Sequence, residues 1–213
     1  MKKNKHIVYL LLIAAGILFC AGMLNAQPYF FRHYQVENGL SNNTVYCSVQ
    51  DNNGFLWFGT KDGLNRFDGY HFKLFNVKDH TGAMAADAIW SMLVDKKNVL
   101  WVGCPQGIYT FDTQKELLVR FNAELRDVNS IQNDRAGQLW FLSGFTVCRY
   151  NFDTKVLQKF PPEKYFAATT LCQSEEGDIW AGTPNGLIYK FDNTAQTFKS
   201  FNVFSHSPAA AST

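Results

Sequence analysis

The stretch Gln50-Asp51-Asn52-Asn53-Gly54-Phe55-Leu56-Trp57-Phe58-Gly59-Thr60-Lys61-Asp62-Gly63-Leu64-Asn65-Arg66-Phe67-Asp68-Gly69-Tyr70 decides the fold, because its grammar returns three more times. Aligned on Trp57, Trp101, Trp140 and Trp180, the units recur at intervals of 44, 39 and 40 residues. An aliphatic residue precedes each Trp: Leu56, Leu100, Leu139 and Ile179. Three residues before it stands a turn former: Gly54, Asn98, Gly137 and Gly177. Six before it lie Asp51, Asp95, Asp134 and, in the fourth unit, Ser174. Two after it come Gly59, Gly103, Leu142 and Gly182; six after it come Gly63, Gly107, Thr146 and Gly186. Each unit closes on a Phe: Phe75, Phe121, Phe160 and Phe201. A period near 40 residues takes precedence over every local reading.

Within one unit the punctuation predicts four short strands. Val45–Gln50 is rich in β-branched and apolar residues, and Asp51-Asn52-Asn53-Gly54 is a turn signal. Phe55–Gly59 is an unbroken apolar run, as expected of a strand buried on both faces. Leu64–Phe67 and Tyr70–Phe75 complete the set, joined by Asp68-Gly69. The sequence therefore predicts an all-β chain, a β-propeller of four-stranded antiparallel blades, incomplete at about four blades. The repeats are expected at about 41–76, 85–122, 124–161 and 166–202, with an extra strand near 29–36, and 205–213 as an irregular tail. Helical periodicity is absent after the first 26 residues, which excludes a helical solenoid.

The repeated positions are structural in this reading. Each Trp brings a large area to the contact between blades, worth about 4–6 kcal/mol before entropy costs. Asp51, Asp95 and Asp134 are expected to cap their turns by accepting backbone N–H bonds. Gly59, Gly103 and Gly182 allow close backbone approach. Catalysts repeated identically in every blade would make little geometric sense.

Composition agrees. The 213 residues are 46% hydrophobic, 15% aromatic and 18% charged, which excludes a disordered polar chain. Lys2, Lys3 and Lys5 precede an uncharged run from Ile7 to Leu24, and Ala26 offers a small residue at a cleavage point. Residues 1–26 read as a secretory signal peptide, with an uncleaved anchor as the alternative. Without those three lysines, 17 basic residues face 18 acidic ones, so no basic surface for nucleic acid is predicted. Cys47, Cys104, Cys148 and Cys172 show no C-x-x-C spacing and read as small buried thiols. His33, His71, His80 and His206 are scattered singly, so neither a metal site nor a cofactor is predicted.

The run Val36-Glu37-Asn38-Gly39-Leu40-Ser41-Asn42-Asn43-Thr44-Val45, followed by Asp51 to Thr60 and Asp62 to Tyr70, resembles the opening of two-component regulator propellers. These form the periplasmic sensor region of hybrid histidine kinases in Bacteroidetes-type bacteria. The resemblance extends from about Phe30 to Phe201 and is weakest in the third unit, at Leu142 and Thr146. It implies an exported sensor of oligosaccharides that controls polysaccharide-utilisation genes. It also implies further propeller repeats, a membrane helix, a kinase core and a homodimer partner. This chain carries no kinase or receiver stretch, so it reads as a truncated product or partial sequence, with an apolar blade face left uncovered.

Propellers present ligands on the loops leading into the first strand of each blade and on those following the Trp strand. Here those positions are Asn42, Asn43, Thr44, Lys61 and Asp62, then Asp87, Trp90, Pro105 and Gln106, then Asn129 and Phe145, then Thr169 and Asn185. They vary from unit to unit, and Trp90 stands outside the repeat register. A Trp among Asp and amide side chains suits sugar stacking with hydroxyl hydrogen bonds; ordinary packing for Trp90 and solvated loops for the rest is the competing reading. Two other functions compete: an exported propeller enzyme acting on glycans, and a bare interaction scaffold. The spacing Asp-x-x-Gly-x-x-Trp differs from the Asp-x-Gly-x-x-Trp of sialidase repeats, and no carboxylate pair is defined.

Overall fold

The computed structural model describes residues 31–75, 77–78, 84–86, 88–162 and 166–201. The expected signal segment 1–26 and tail 205–213 lie outside the described residues. The chain divides into Met1–His33 and Tyr34–Thr213, and the sheets of the described residues lie in the second unit.

Four antiparallel sheets of four strands each follow one another. The first is β1 (Val45–Gln50), β2 (Leu56–Thr60), β3 (Gly63–Phe67) and β4 (Phe72–Phe75). A two-stranded ladder, β5 (Val77–Lys78) with β6 (Met84–Ala86), stands between it and the next. The second sheet is β7 (Ser91–Val94), β8 (Leu100–Cys104), β9 (Gly107–Asp112) and β10 (Leu117–Arg120). The third is β11 (Val128–Asn133), β12 (Leu139–Ser143), β13 (Thr146–Asn151) and β14 (Val156–Phe160). The fourth is β15 (Thr170–Gln173), β16 (Ile179–Gly182), β17 (Ile188–Asp192) and β18 (Thr197–Phe201). Each sheet is a plain meander, and successive sheets meet through their first strands, β1 on β7, β7 on β11 and β11 on β15. Among the described residues the regular structure is all strand apart from one 3-10 turn, Val36–Asn38. This is the blade arrangement of a β-propeller.

Each contact between blades has its own core. Trp57, Leu64 and Phe75 of the first blade pack with Ile89, Val102 and Phe111 of the second. Trp101 and Ile108 pack with Val128, Leu139 and Phe141 of the third. Trp140, Leu142 and Val147 pack with Ala168, Ile179 and Phe191 of the fourth. The Trp ring meets an aromatic of the following blade in every case: Trp57 on Phe111 at 4.7 Å, Trp101 on Phe152 at 5.8 Å, Trp140 on Phe191 at 4.8 Å.

The aspartates do more than cap. Asp51 Oδ1 accepts the N–H groups of Asn53 and Phe55, while its Oδ2 accepts Trp57 Nε1–H at 2.8 Å. Asp95 holds Trp101 at 3.0 Å and Asp134 holds Trp140 at 2.9 Å in the same way. One carboxylate thus ties the turn to the ring that the next blade covers. That bond satisfies the only polar group of the buried indole. The sequence reading foresaw the turn bonds but not the bond to the ring.

The glycines two residues after the Trp have a specific cause. A Cβ on Gly59 would lie 2.8 Å from Ile89 Cγ2 and 2.9 Å from the Ile89 carbonyl oxygen. One on Gly103 would lie 2.6 Å from the carbonyl oxygen of Val128. The third blade breaks the pattern with Leu142, which is fully buried, and the residue in the place of Ile89 and Val128 is there Ala168. Leu142 and Ala168 share one cluster. A large side chain has moved from one blade to the other at nearly constant volume, which cores tolerate well.

The strand expected near 29–36 is not formed over its described part: Phe31–Gln35 carry no strand, and Val36 begins the 3-10 turn. Asn38 Oδ1 accepts the N–H of Gln35, and Gly39 takes a φ of 103°, so the segment turns where a ladder would have run straight. Tyr34 still stands where a closing aromatic should. Its ring lies 4.9 Å from Phe67, as Phe75 lies 4.9 Å from Phe111 and Phe121 lies 4.8 Å from Tyr150. Behind it, Leu40 is buried, and Ser41 is bonded to the buried Asn65 and Thr60. The first blade's free face is therefore partly covered, which the sequence reading had left bare.

Candidate functional site

The candidate residues gather at the end of each blade that bears the hairpin after the Trp strand. In the first three blades this hairpin has two loop residues: Lys61-Asp62 between Thr60 and Gly63, Pro105-Gln106 between Cys104 and Gly107, Gly144-Phe145 between Ser143 and Thr146. The fourth has a longer loop between Gly182 and Ile188. The backbone leading into the first strand lies beside these hairpins. Thr44 O accepts from Lys61 N at 3.0 Å, Pro105 O from Asp127 N at 2.8 Å, and Gly182 O from Thr169 N at 2.8 Å. Asp127 O accepts from Gly144 N at 3.0 Å, so the second and third blades are stitched together here.

Several candidates are already engaged. Asn43 Oδ1 accepts the N–H of Val36 at 3.0 Å. Asn42 donates to Asp62 Oδ2 at 2.7 Å and accepts from Thr44 N. Asn185 Oδ1 accepts from the Thr183 hydroxyl. These side chains hold loops, a role the sequence reading had not given them. Trp90 is half-buried, and its backbone N–H donates to Gly103 O. Lys61 is exposed, and Asp87 lies outside the described residues.

The junction of the second and third blades differs. Gln106 Oε1, Asn129 Oδ1 and Arg120 Nε are buried without a hydrogen-bond partner. Asp127 and Ser130, on either side of Asn129, take φ values of 49° and 50°, and a bulge interrupts the pairing of β11 between Asn129 and Gln132. Left-handed backbone in non-glycine residues is costly and accumulates at functional sites. Phe145, 55% exposed, stands at the tip of the adjoining hairpin. Arg120 was missed by the sequence reading. It donates to Gln106 O and Leu125 O, and nothing in the repeat marks the last residue of β10 as special.

The thiols stand apart from this end in their chemistry. Burial pushes Cys47 and Cys148 up to about 12, and raises Cys104 as well. All four described cysteines are free, and Cys172 is exposed, against the expectation of a buried thiol. Cys172 pairs with Trp180 across β15 and β16, on the face that no following blade covers among the described residues. Among the described residues no group of His, Cys, Asp and Glu is placed to hold a metal ion.

The fold and the hairpin-end arrangement are those of a β-propeller segment. Residues 39–62 match the family described as two-component regulator propeller. A 67-residue stretch is 43% identical to histidine kinase P4 of Formosa agariphila, covering 30% of this chain and 5% of that protein. The extracellular domain of a hybrid two-component system of B. thetaiotaomicron superposes with a TM-score of 0.71 at 22% identity, over 83% of this chain and 27% of that one. Virginiamycin B lyase of Staphylococcus aureus shares the fold at a TM-score of 0.64 and 14% identity, over 85% of this chain and 62% of the lyase. The sequence match to a two-component regulator propeller is thus confined to residues 39–62, and the chain spans a small part of the length of these histidine-kinase and two-component relatives.

Proposed function

We propose that this chain is the N-terminal ligand-sensing propeller segment of a hybrid two-component sensor histidine kinase, exported to the periplasm. In this reading it recognises an oligosaccharide, contributes no catalytic step of its own, and acts with the remainder of the receptor and a homodimer partner. The observation that carries it is the 43% identity to a histidine kinase over 67 residues. The ligand is expected at the hairpin end, where Gln106 and Asn129 offer acceptors and Phe145 an aromatic face. A ligand can signal only by its differential affinity for two receptor states, so the segment's task is binding.

Calorimetric titration of the chain with a panel of glycan fragments, run beside an assay for released reducing ends, tests this. Binding heat without cleavage is the expected result, and Gln106→Ala with Asn129→Ala weakens it at least tenfold. Turnover of any fragment would instead favour an exported propeller enzyme, and binding that both variants leave unchanged would move the site elsewhere.

A further inference from the structure

At the opposite end of the blades, where the Asp-bearing turns lie, a groove of about 240 Å3 opens between the second and third blades. Lys97 comes from the turn of the second blade; Asn133, Gln138, Asn151, Phe152 and Asp153 come from the third. Asn133 ends β11, and its Oδ1 is buried with no hydrogen-bond partner. An unmet buried acceptor carries a desolvation penalty that a donor arriving with a ligand would remove. Phe152 forms an aromatic wall that packs on Trp101 at 5.8 Å. The charged lining is balanced, with Asp95 and Asp153 against Lys96 and Lys97, so the groove selects little by charge.

The other two junctions are built differently. The residue seven before the Trp is Asn133 in the third blade, but Val94 in the second, where it packs in the apolar core. There Asn98 Oδ1 accepts the N–H of Asn52, linking the two turns at 2.8 Å. Between the third and fourth blades, Arg135 lies against Gly177 and donates to Glu175 O at 2.6 Å. The place of Arg135 is taken in the second blade by Lys96, which donates to Arg135 O at 3.2 Å. A polar groove with a buried amide is thus a feature of this junction and not of the repeat.

We propose that this groove is a binding site for a small, neutral, hydroxyl-bearing ring of monosaccharide size, separate from the hairpin-end site. A ring hydroxyl donates to Asn133 Oδ1, the Gln138 side-chain amide and the Nδ2–H of Asn151, whose Oδ1 already accepts from Asp153 N and Thr154 N, complete the polar contacts, and an apolar ring face lies on Phe152. The buried group is a neutral acceptor, the Asp95 carboxylate is already taken up by Trp101 and its own turn, and Lys96, Lys97 and Asp153 are exposed, which favours a polyol over an ion.

The test is a titration of the isotope-labelled chain with D-glucose, D-galactose and D-mannose, followed by the side-chain amide resonances of Asn133 and Gln138. At least one hexose is expected to shift both saturably at roughly tens of millimolar, where a millimolar Kd is fully visible. Asn133→Val, the residue of the second blade at this step, should weaken that binding about tenfold, and Gln106→Ala should leave it unchanged. Should the valine variant fail to fold, Asn133→Gln carries the residue of the first and fourth blades and must also weaken binding by displacing the acceptor. The proposal is overturned if no hexose moves these resonances, or if the shifts survive both substitutions. Since the readout is local to Asn133, it is independent of whether the hairpin end binds a glycan.

Discussion

Trp140 and Trp180 occupy the same step of the repeat but not the same environment. Trp140 is 1% exposed, its ring meets Phe160, Phe191 and Phe198, and its Nε1–H is held by Asp134. Trp180 is half-buried, packs on Phe201 of its own blade, and lies beneath Lys190 at 5.5 Å. Phe201 itself is 47% exposed. Where the first three blades have Asp, the fourth has Ser174, whose hydroxyl accepts the N–H of Asp178 at 3.3 Å and offers the indole no carboxylate. The Trp of a blade is buried by the sheet that follows, and the fourth blade has none among the described residues. The opposite face of the array, on the first blade, is partly closed by Tyr34 and Leu40. The comparison teaches that a repeat position defines a side chain's direction, while its energy comes from its neighbour.

The largest effect is expected where that neighbour is present. Trp140→Ala should cost about 3–5 kcal/mol in urea unfolding, as for large buried aromatics, and Trp180→Ala less than half of that. Equal losses would end the contrast between the two rings. The exchange of volume at the third junction comes next. Ala168→Ile should cost about 1–3 kcal/mol by overpacking against Leu142, and adding Leu142→Gly should recover at least ~1 kcal/mol of coupling in a double-mutant cycle. Additive losses would mean that the two positions do not compensate each other.

A smaller effect belongs to the bond between Asp and Trp. Asp134→Asn leaves one acceptor for two donors, Gln138 N–H and Trp140 Nε1–H, and should cost about 1–3 kcal/mol. Ser174→Asp should gain under ~1 kcal/mol, because Trp180 remains half-solvated and Glu176 stands beside the new charge. A gain as large as the Asp134 loss would show that the carboxylate works without the covering blade. The smallest contrast is chemical. At neutral pH a maleimide should modify Cys172 first and leave Cys148 protected, as read by mass spectrometry. Cys47 and Cys148 titrate near 12 in the folded chain against 9.0 as the ordinary value. Their raised values leave stability intact below pH 9 and withdraw it as pH rises from there toward 12, so the thermal unfolding temperature should fall over that window. Replacing both thiols by Ala should flatten the decline.

Much of the architecture was legible because a blade is a local object. Turn residues at fixed offsets, an apolar run between them and a closing Phe specify four short strands without reference to anything distant. The hairpin-end candidates were legible as positions, since topology places those loops together. Their occupation was not: Asn43 and Asn185 are spent on loop geometry, while Gln106 and Asn129 keep unmet acceptors. Nothing in an amide's spelling distinguishes the two cases. Leu142 read as a degenerate position because the compensating Ala168 lies in another repeat, and a missing Cβ in one blade matters only against the side chain that faces it.

The sequence by itself determined the number of blades, the strands within each, the turn chemistry and the direction of each Trp, all short-range consequences of backbone conformation and alternation. The tertiary structure alone decided which Trp is buried, that Tyr34 and Ser41 cover part of the first blade's face, and where an acceptor is left unmet. Burial and hydrogen-bond satisfaction are properties of pairs of surfaces, and the chain brings those pairs together only when one sheet packs on the next.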